Sequence, residues 1–248
     1  MSNHHPAFQP LKIALIGYGK MGKAIEQIAL AQGHTIALII DAENSHELTA
    51  TNLQQCDVAI EFTSPHSAVQ NIFTCMNANT PIVCGSTGWL EHWEKVKQFC
   101  LDKNGSLLYA SNFSIGVNIF FEINKKLAAL MHSHPSYQVT VEEIHHTAKK
   151  DAPSGTAITI AEQILASYPD KKNWVSEYTT SPTELLIVSK RIDPAPGTHM
   201  VKYQSSIDNI EIIHTAHNRD GFASGAVLAA GFLVGKKGIF GMKEVLGL

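Results

Sequence analysis

Apolar positions along the first 110 residues alternate between two periods. Leu11-Lys-Ile-Ala-Leu-Ile16 is a short apolar run, and Ala24-Ile-Glu-Gln-Ile-Ala-Leu30 follows with apolar residues at helical spacing. Thr35–Ile40 is a second apolar run and Asp57–Phe62 a third. Pro65 opens a predicted helix to about Asn77, with Ala68, Val69, Ile72, Phe73 and Met76 on one face. Pro81–Cys84 is a fourth strand-like run, and a helix with Trp89, Trp93, Val96, Phe99 and Cys100 follows it. Leu107–Ala110 is the fifth. Strand and helix in strict alternation predict an α/β fold with a parallel sheet and right-handed crossovers. Ligands of such sheets bind beyond the C-terminal strand ends, so the loops Gly17–Gly22, Asp41, Phe62–Pro65, Gly85–Gly88 and Ala110–Phe113 are expected to line one crevice.

After Phe113 the pattern changes. Val117–Met131 reads as a helix, and Tyr137–Glu143 alternates like a strand with one exposed face. A helix opened by Pro153-Ser-Gly155 buries Ala157, Ile158, Ile160, Ala161, Ile164 and Leu165. Strand-like runs at Leu185–Lys190, Met200–Ser205 and Ile210–Thr215 follow, with a proline-rich turn at Arg191–Gly197. This predicts a separate α+β unit with a mostly antiparallel sheet. A last helix, Phe222–Leu233, and the apolar tail to Leu248 are expected to pack back on the first domain. The expected domains are therefore 1–113 with 219–248, and 114–218.

Composition narrows the function. Nineteen basic against 22 acidic residues, a net charge of −3, argue against a general nucleic-acid binder. No apolar run approaches a membrane span, no signal-sequence pattern opens the chain, and Met1–Pro10 reads as a loose tail. Cys56, Cys75, Cys84 and Cys100 lack C-x-x-C spacing and read as reduced, buried thiols of a cytosolic protein.

Two motifs carry chemistry. Gly17-Tyr-Gly-Lys-Met-Gly22 stands between a strand and a helix, as in dinucleotide-binding folds. Gly17 permits the tight turn, Gly19 lets the backbone approach a pyrophosphate, and Gly22 lets helix and strand pack closely. Asp41, ending the second strand 24 residues after Gly17, stands where a ribose-binding acid belongs. The second motif is Glu143-Ile-His-His-Thr-Ala-Lys-Lys-Asp-Ala-Pro-Ser-Gly-Thr156. It sets His145, His146 and Lys149 just ahead of a helix start that Asp151 or Ser154 can cap. Backbone N–H groups of Gly155, Thr156 and Ala157 suit a carboxylate there. A helix end alone binds an anion weakly, by about 0.3–1 kcal/mol when exposed. Lys149, His146 and Thr156 must therefore add to it. Histidine titrates near neutrality and suits proton transfer. The spacing is not that of a zinc site, and no metal is expected.

At these residues the chain resembles the 4-hydroxy-tetrahydrodipicolinate (dihydrodipicolinate) reductases. The likeness extends over Gly85-Ser-Thr-Gly88, Ser111–Asn118, Arg191 to His199, His214–Arg219 and Phe222–Ala226, in the family's order. The resemblance implies a cytoplasmic homotetramer built through the second domain. It also implies NAD(P)H-dependent reduction of a cyclic imine dicarboxylate with loss of water, in lysine and diaminopimelate synthesis. Carried over, His145 gives or takes a proton and Lys149 donates one. His146, Gly155 and Thr156 bind substrate carboxylates. The cofactor contacts carried over are Gly17, Tyr18, Gly19, Lys20, Met21, Gly22, Asp41, Gly85, Ser86, Thr87, Ala110, Ser111, Asn112 and Phe113. The chain departs from the pattern in its shorter glycine loop and in a shortened stretch between Asp41 and Cys56. Ala42 stands where members that use NADPH well often carry arginine. Asp41 should accept ribose hydroxyls and repel a 2′-phosphate, so NADH is the preferred cofactor. NADPH remains possible because Lys20 could reach a phosphate. Another small-molecule dehydrogenase would share the nucleotide half but not the His-His/Lys/Ser-Gly-Thr combination. A non-catalytic NADH-sensing protein would not need Lys149 and His145. The cationic cradle of the second half is expected to meet the nicotinamide held by the first.

Overall fold

A computed structural model describes residues 9–218 and 220–248. Residues 1–8, most of the expected tail, and Arg219 lie outside the described residues. The chain divides into two compact units. One runs to Ser114 and resumes over Asp220–Gly247, and the other begins at Ile115.

The first unit follows the alternating pattern: β1 (Lys12–Ile16), α1 (Lys20–Ala31), β2 (Thr35–Ile40), α2 (Ala50–Leu53), β3 (Val58–Glu61), α3 (Pro65–Asn77), β4 (Ile82–Cys84), α4 (Trp93–Asp102) and β5 (Ser106–Tyr109). Every described pairing in its sheet is parallel. Strand alternation sends Ile13 and Leu15 into one apolar cluster and Ala14 and Ile16 into another. Both faces of the sheet are thus covered, as a parallel sheet requires. Pro65 occupies the first turn of α3, where its missing N–H costs nothing.

The second unit holds α5 (Ile115–Met131), β6 (Gln138–His145), α6 (Gly155–Leu165), β7 (Asn173–Val175), β8 (Glu184–Arg191), β9 (Gly197–Gln204) and β10 (Asn209–Ala216). Its strand order is β10-β9-β6-β8-β7. The antiparallel character holds across β10, β9 and β6. β8 and β7 join in parallel, which makes the sheet mixed. Val139 and Val141 of β6 pack with Ile160 and Ile164 of α6 and Phe120 of α5.

The chain re-enters the first unit with α7 (Asp220–Leu233), β11 (Gly238–Phe240) and α8 (Met242–Leu246). β11 lies beside β5 and completes the order β11-β5-β4-β3-β1-β2. α7 is rich in small residues because it packs close: a Cβ on Gly225 would stand 1.8 Å from the Phe113 carbonyl oxygen.

Candidate active site

The motif from Glu143 to Thr156 is organised by a buried carboxylate. β6 alternates, so Val139, Val141, Glu143 and His145 share its buried face. Strand register then supplies neighbours. Glu143 lies opposite His199 of β9, and His145 lies beside Arg191 of β8. Glu143 is 0 % exposed. Its two oxygens each accept the Ser154 N–H at 3.1 Å, and Arg191 Nη2 donates to Oε1 at 3.1 Å. His145 Nδ1 stands 3.3 Å from Oε2, close to it but outside hydrogen-bond geometry. Burial pushes the Glu143 carboxyl up, but the contacts from His145, Ser154 and Arg191 outweigh it and hold the group well below the usual carboxylate range.

His199 fills the other side. Its Nε2 is 3.2 Å from Ser154 Oγ, and its ring meets that of His145 edge-on with centroids 5.1 Å apart. Burial, reinforced by the nearby His145, lowers its pKa to about 4, so it is neutral at pH 7. Glu143, His145 and His199 each offer a metal-ligand atom, all within 4.8 Å of one another. The carboxylate in this trio already has Arg191 and a helix-start N–H as partners.

The helix start differs from expectation in two ways. Ser154 is the cap, its Oγ accepting the Ala157 N–H at 3.2 Å, so that N–H is used within the helix. Asp151, the other expected cap, instead takes Lys149 Nζ on both oxygens at 2.8 Å. That hydrogen bond holds its carboxyl low. The physical reason is reach: the turn closed by Lys149 N to His146 O puts the ammonium beside Asp151. A Cβ on Gly155 would meet nothing within 4 Å, so the space at the helix start is open. His145 is 7 % exposed, whereas His146 is partly exposed beyond the end of β6. Thr147 fastens the following loop, its N–H and Oγ–H reaching Asp193 at 3.1 and 2.5 Å. Gly197 makes room for the imidazole, since a Cβ there would lie 3.0 Å from His145 Nε2.

In the first unit, Gly17 has φ +97° and a Cβ on it would stand 2.1 Å from the Phe62 carbonyl oxygen. A Cβ on Gly19 would meet nothing within 4 Å. Gly22 packs against the Gly17 carbonyl, 2.2 Å from an added Cβ, so its lack of a side chain serves closure of the loop more than contact with the strand. α1 begins at Gly19 without a side-chain cap, leaving a helix start suited to a phosphate. Tyr18 donates to Glu26, and Lys23 stands over the Tyr18 ring. Lys20 and Met21 lie in the first turn of α1. Asp41 Oδ1 accepts the N–H of Glu43 at 2.8 Å and of Asn44 at 3.3 Å, so one of its oxygens already holds the local turn.

Ser86 is buried, its hydroxyl donating to Glu61 at 2.9 Å, while Thr87 is exposed. Asn112 Oδ1 accepts the Ser114 N–H at 2.9 Å. Phe113 is buried against Phe62, with ring centroids 5.6 Å apart, whereas Ser111 is exposed and Ala110 partly so. The structure thus gathers His145, Lys149 and Gly155 around one end of the second unit's sheet. The glycine loop and the strand-end loops gather in the first unit. The sequence reading passed over Glu143, Arg191 and His199 as working residues. A charged residue at an inward strand position was the legible signal for Glu143; His199, 56 residues away, depends on register.

The dihydrodipicolinate reductase N-terminus family matches residues 11–113, and the dihydrodipicolinate reductase C-terminus family matches 116–246. The chain is 48 % identical over 237 residues to the 4-hydroxy-tetrahydrodipicolinate reductase of Christiangramia forsetii, covering 95 % of this chain and 98 % of that protein. It is 32 % identical over 240 residues to the enzyme of the same name from Methanoregula boonei, covering 93 % and 92 %. In fold it is similar to the dipicolinate-bound dihydrodipicolinate reductase of Paenisporosarcina sp. TG-14, with a TM-score of 0.77 at 22 % identity over 96 % of this chain and 100 % of that one.

Proposed function

Since the chain belongs to the dihydrodipicolinate reductase family, we propose that it reduces 4-hydroxy-tetrahydrodipicolinate to tetrahydrodipicolinate with NAD(P)H, in the route to diaminopimelate and lysine. One substrate, one NAD(P)H and one proton give the product, NAD(P)+ and water, so charge and atoms balance. The bound nicotinamide supplies the hydride. The residues of the second unit supply the proton and grip the dicarboxylate.

The observation that carries this reading is the Glu143 network. It holds His145, Arg191 and the start of α6 together, with the Lys149–Asp151 pair alongside. His145 Nδ1 faces the Glu143 carboxylate, which leaves Nε2 as the nitrogen to exchange a proton. Lys149 is the proton donor. Its pairing with Asp151, an exposed carboxylate, is of a kind worth only about 0–1 kcal/mol. A substrate carboxylate can therefore displace it. His146, Gly155 and Thr156 bind the carboxylates at the helix start, where charged hydrogen bonds contribute about 1.5–3 kcal/mol.

The cofactor is held by Gly17–Gly22, Asp41, Gly85–Thr87 and Ala110–Phe113. The positive φ of Gly17 and the open space at Gly19 support a pyrophosphate there. Asp41, followed by Ala42, favours NADH over NADPH. The reading extends to a homotetramer associating through the second unit, which leaves Ile192, Ile210 and Ile213 exposed. It extends also to a cytoplasmic location; no described helix is long and apolar enough to cross a membrane.

The test is to mix purified protein with freshly condensed substrate and follow NADH and NADPH absorbance. Turnover with a higher kcat/KM for NADH supports the reading. NADH binding without turnover favours a sensing protein, and turnover only on other carbonyl or amino substrates favours another dehydrogenase. A higher kcat/KM with NADPH defeats the cofactor preference alone.

A further inference from the structure

We propose that Glu61 is a positioning residue for the cofactor loops: its buried carboxylate fastens the segment after β3 to the segment after β4. This rests on the reading of those loops as NAD(P)H contacts. Glu61 ends β3 and is 0 % exposed. Its Oε1 accepts the Thr63 N–H at 3.0 Å, the Ser86 hydroxyl at 2.9 Å and the Thr63 hydroxyl. Its Oε2 accepts the Cys84 thiol at 3.0 Å. Among the described residues, no cation stands within ion-pair distance of it.

A buried carboxylate without a cation is costly, and neutral donors only offset that cost. The rest of β3 is Val58, Ala59 and Ile60, all buried, so an apolar residue would suit position 61 for packing alone. A stability rule broken in this way marks a working site. Full burial removes Glu61 from contact with substrate, so its action runs through its neighbours.

Those neighbours reach four loops. Ser86 Oγ accepts the Thr63 N–H at 2.8 Å while donating to Glu61, which locks the two segments in a closed triangle. Phe62, the next residue, fills the space beside Gly85, where an added Cβ would meet its ring at 2.2 Å. Its carbonyl abuts Gly17, and its ring packs at a tilt against Phe113. Displacing residues 61–63 therefore displaces the segments after β1, β4 and β5 together. Cofactor geometry tolerates errors of only about 0.5 Å.

The test uses the full chain. Glu61→Gln keeps the shape but turns an amide donor toward Thr63 N–H or the Cys84 thiol. Titration with NADH is expected to give a Kd raised by about tenfold or more, the scale set by hydrogen bonds to a charged group. The KM for the proposed substrate is expected to stay within about twofold, because the residues read as its carboxylate contacts lie in the second unit and Glu61 lies in the first. The KM for NADH rises more than kcat falls. Cys84→Ala, which removes one donor, weakens NADH binding, and Cys84→Ser, which keeps a donor, restores it; this pair decides the matter if Glu61→Gln does not fold. A folded Glu61→Gln or Cys84→Ala that binds NADH within twofold of the unsubstituted chain overturns the proposal, because a merely structural role would lower Tm alone. If the unsubstituted chain itself fails to bind NADH, the reading of the loops falls instead.

Discussion

Acid should loosen the second unit through one buried imidazole. His199 is 6 % exposed, and burial together with the neighbouring His145 lowers its pKa to about 4. In the unfolded chain a histidine titrates near about 6.5. Between those values the unfolded state takes up the proton and the folded state does not, so stability falls as the pH drops through that window. The contribution is fully present above about pH 6.5. One proton changes stability by about 1.4 kcal/mol per pH unit, so going from pH 6.5 to 5 removes about 2 kcal/mol. For a chain of this size that lowers Tm by about 4–8 °C. Burial lowers the pKa of His34 and His214 as well, so a single pH series sums several groups. The decisive comparison is His199→Gln, which keeps a polar partner for Ser154 and cannot titrate. Thermal unfolding of both proteins between pH 7.5 and 5 should give a shallower decline for the variant. Glu143 does not interfere, because its folded pKa is depressed and its contribution is lost only below the ordinary glutamate value of about 4.3. Parallel slopes for the two proteins would refute the argument.

Three further outcomes follow from single contacts. Gly197→Ala puts a methyl 3.0 Å from His145 Nε2; steady-state kinetics should show kcat down by about 10- to 100-fold, the cost of a misplaced group, and an unchanged kcat would contradict the role of His145. Gly17→Ala meets both a φ of +97° and the Phe62 carbonyl; denaturant titration should show a loss of about 1–3 kcal/mol, and calorimetry a loss of NADH binding. Asp151→Ala breaks an ion pair with an exposed carboxylate; Tm should move by no more than about 2–4 °C while the KM for the proposed substrate falls, and a higher KM would make Asp151 a guide for Lys149 rather than its competitor.

Hydrophobic periodicity made much of the fold legible. The helix Pro65–Asn77 matched its apolar stripe and its proline start, and Thr35–Ile40 matched its run. Elements without such a signal escaped. β7 and β11 have three residues each and, unlike β4, are not wholly apolar runs: Asn173 opens the first and Gly238 the second. The mixed pairing of the second sheet escaped because alternation fixes which face a residue takes, not which strand lies beside it. The same gap hid the Glu143–His199 and His145–Arg191 neighbours. Cap identity turned on a local turn: Asp151 and Ser154 are both good caps by chemistry, but Lys149, two residues before Asp151, claims its carboxylate. Asp41 was legible as a strand-end acid, but its turn with Glu43 and Asn44 was not. Glu61 escaped because a glutamate closing a strand before Phe-Thr-Ser-Pro reads as an ordinary exposed end.

The most direct test of the account is the turnover of Lys149→Ala on freshly condensed 4-hydroxy-tetrahydrodipicolinate with NADH. The expected result is a kcat lower by about 100- to 10,000-fold, with NADH affinity close to that of the unsubstituted chain. Undiminished NADH oxidation in that variant would contradict the assignment of the proton donor.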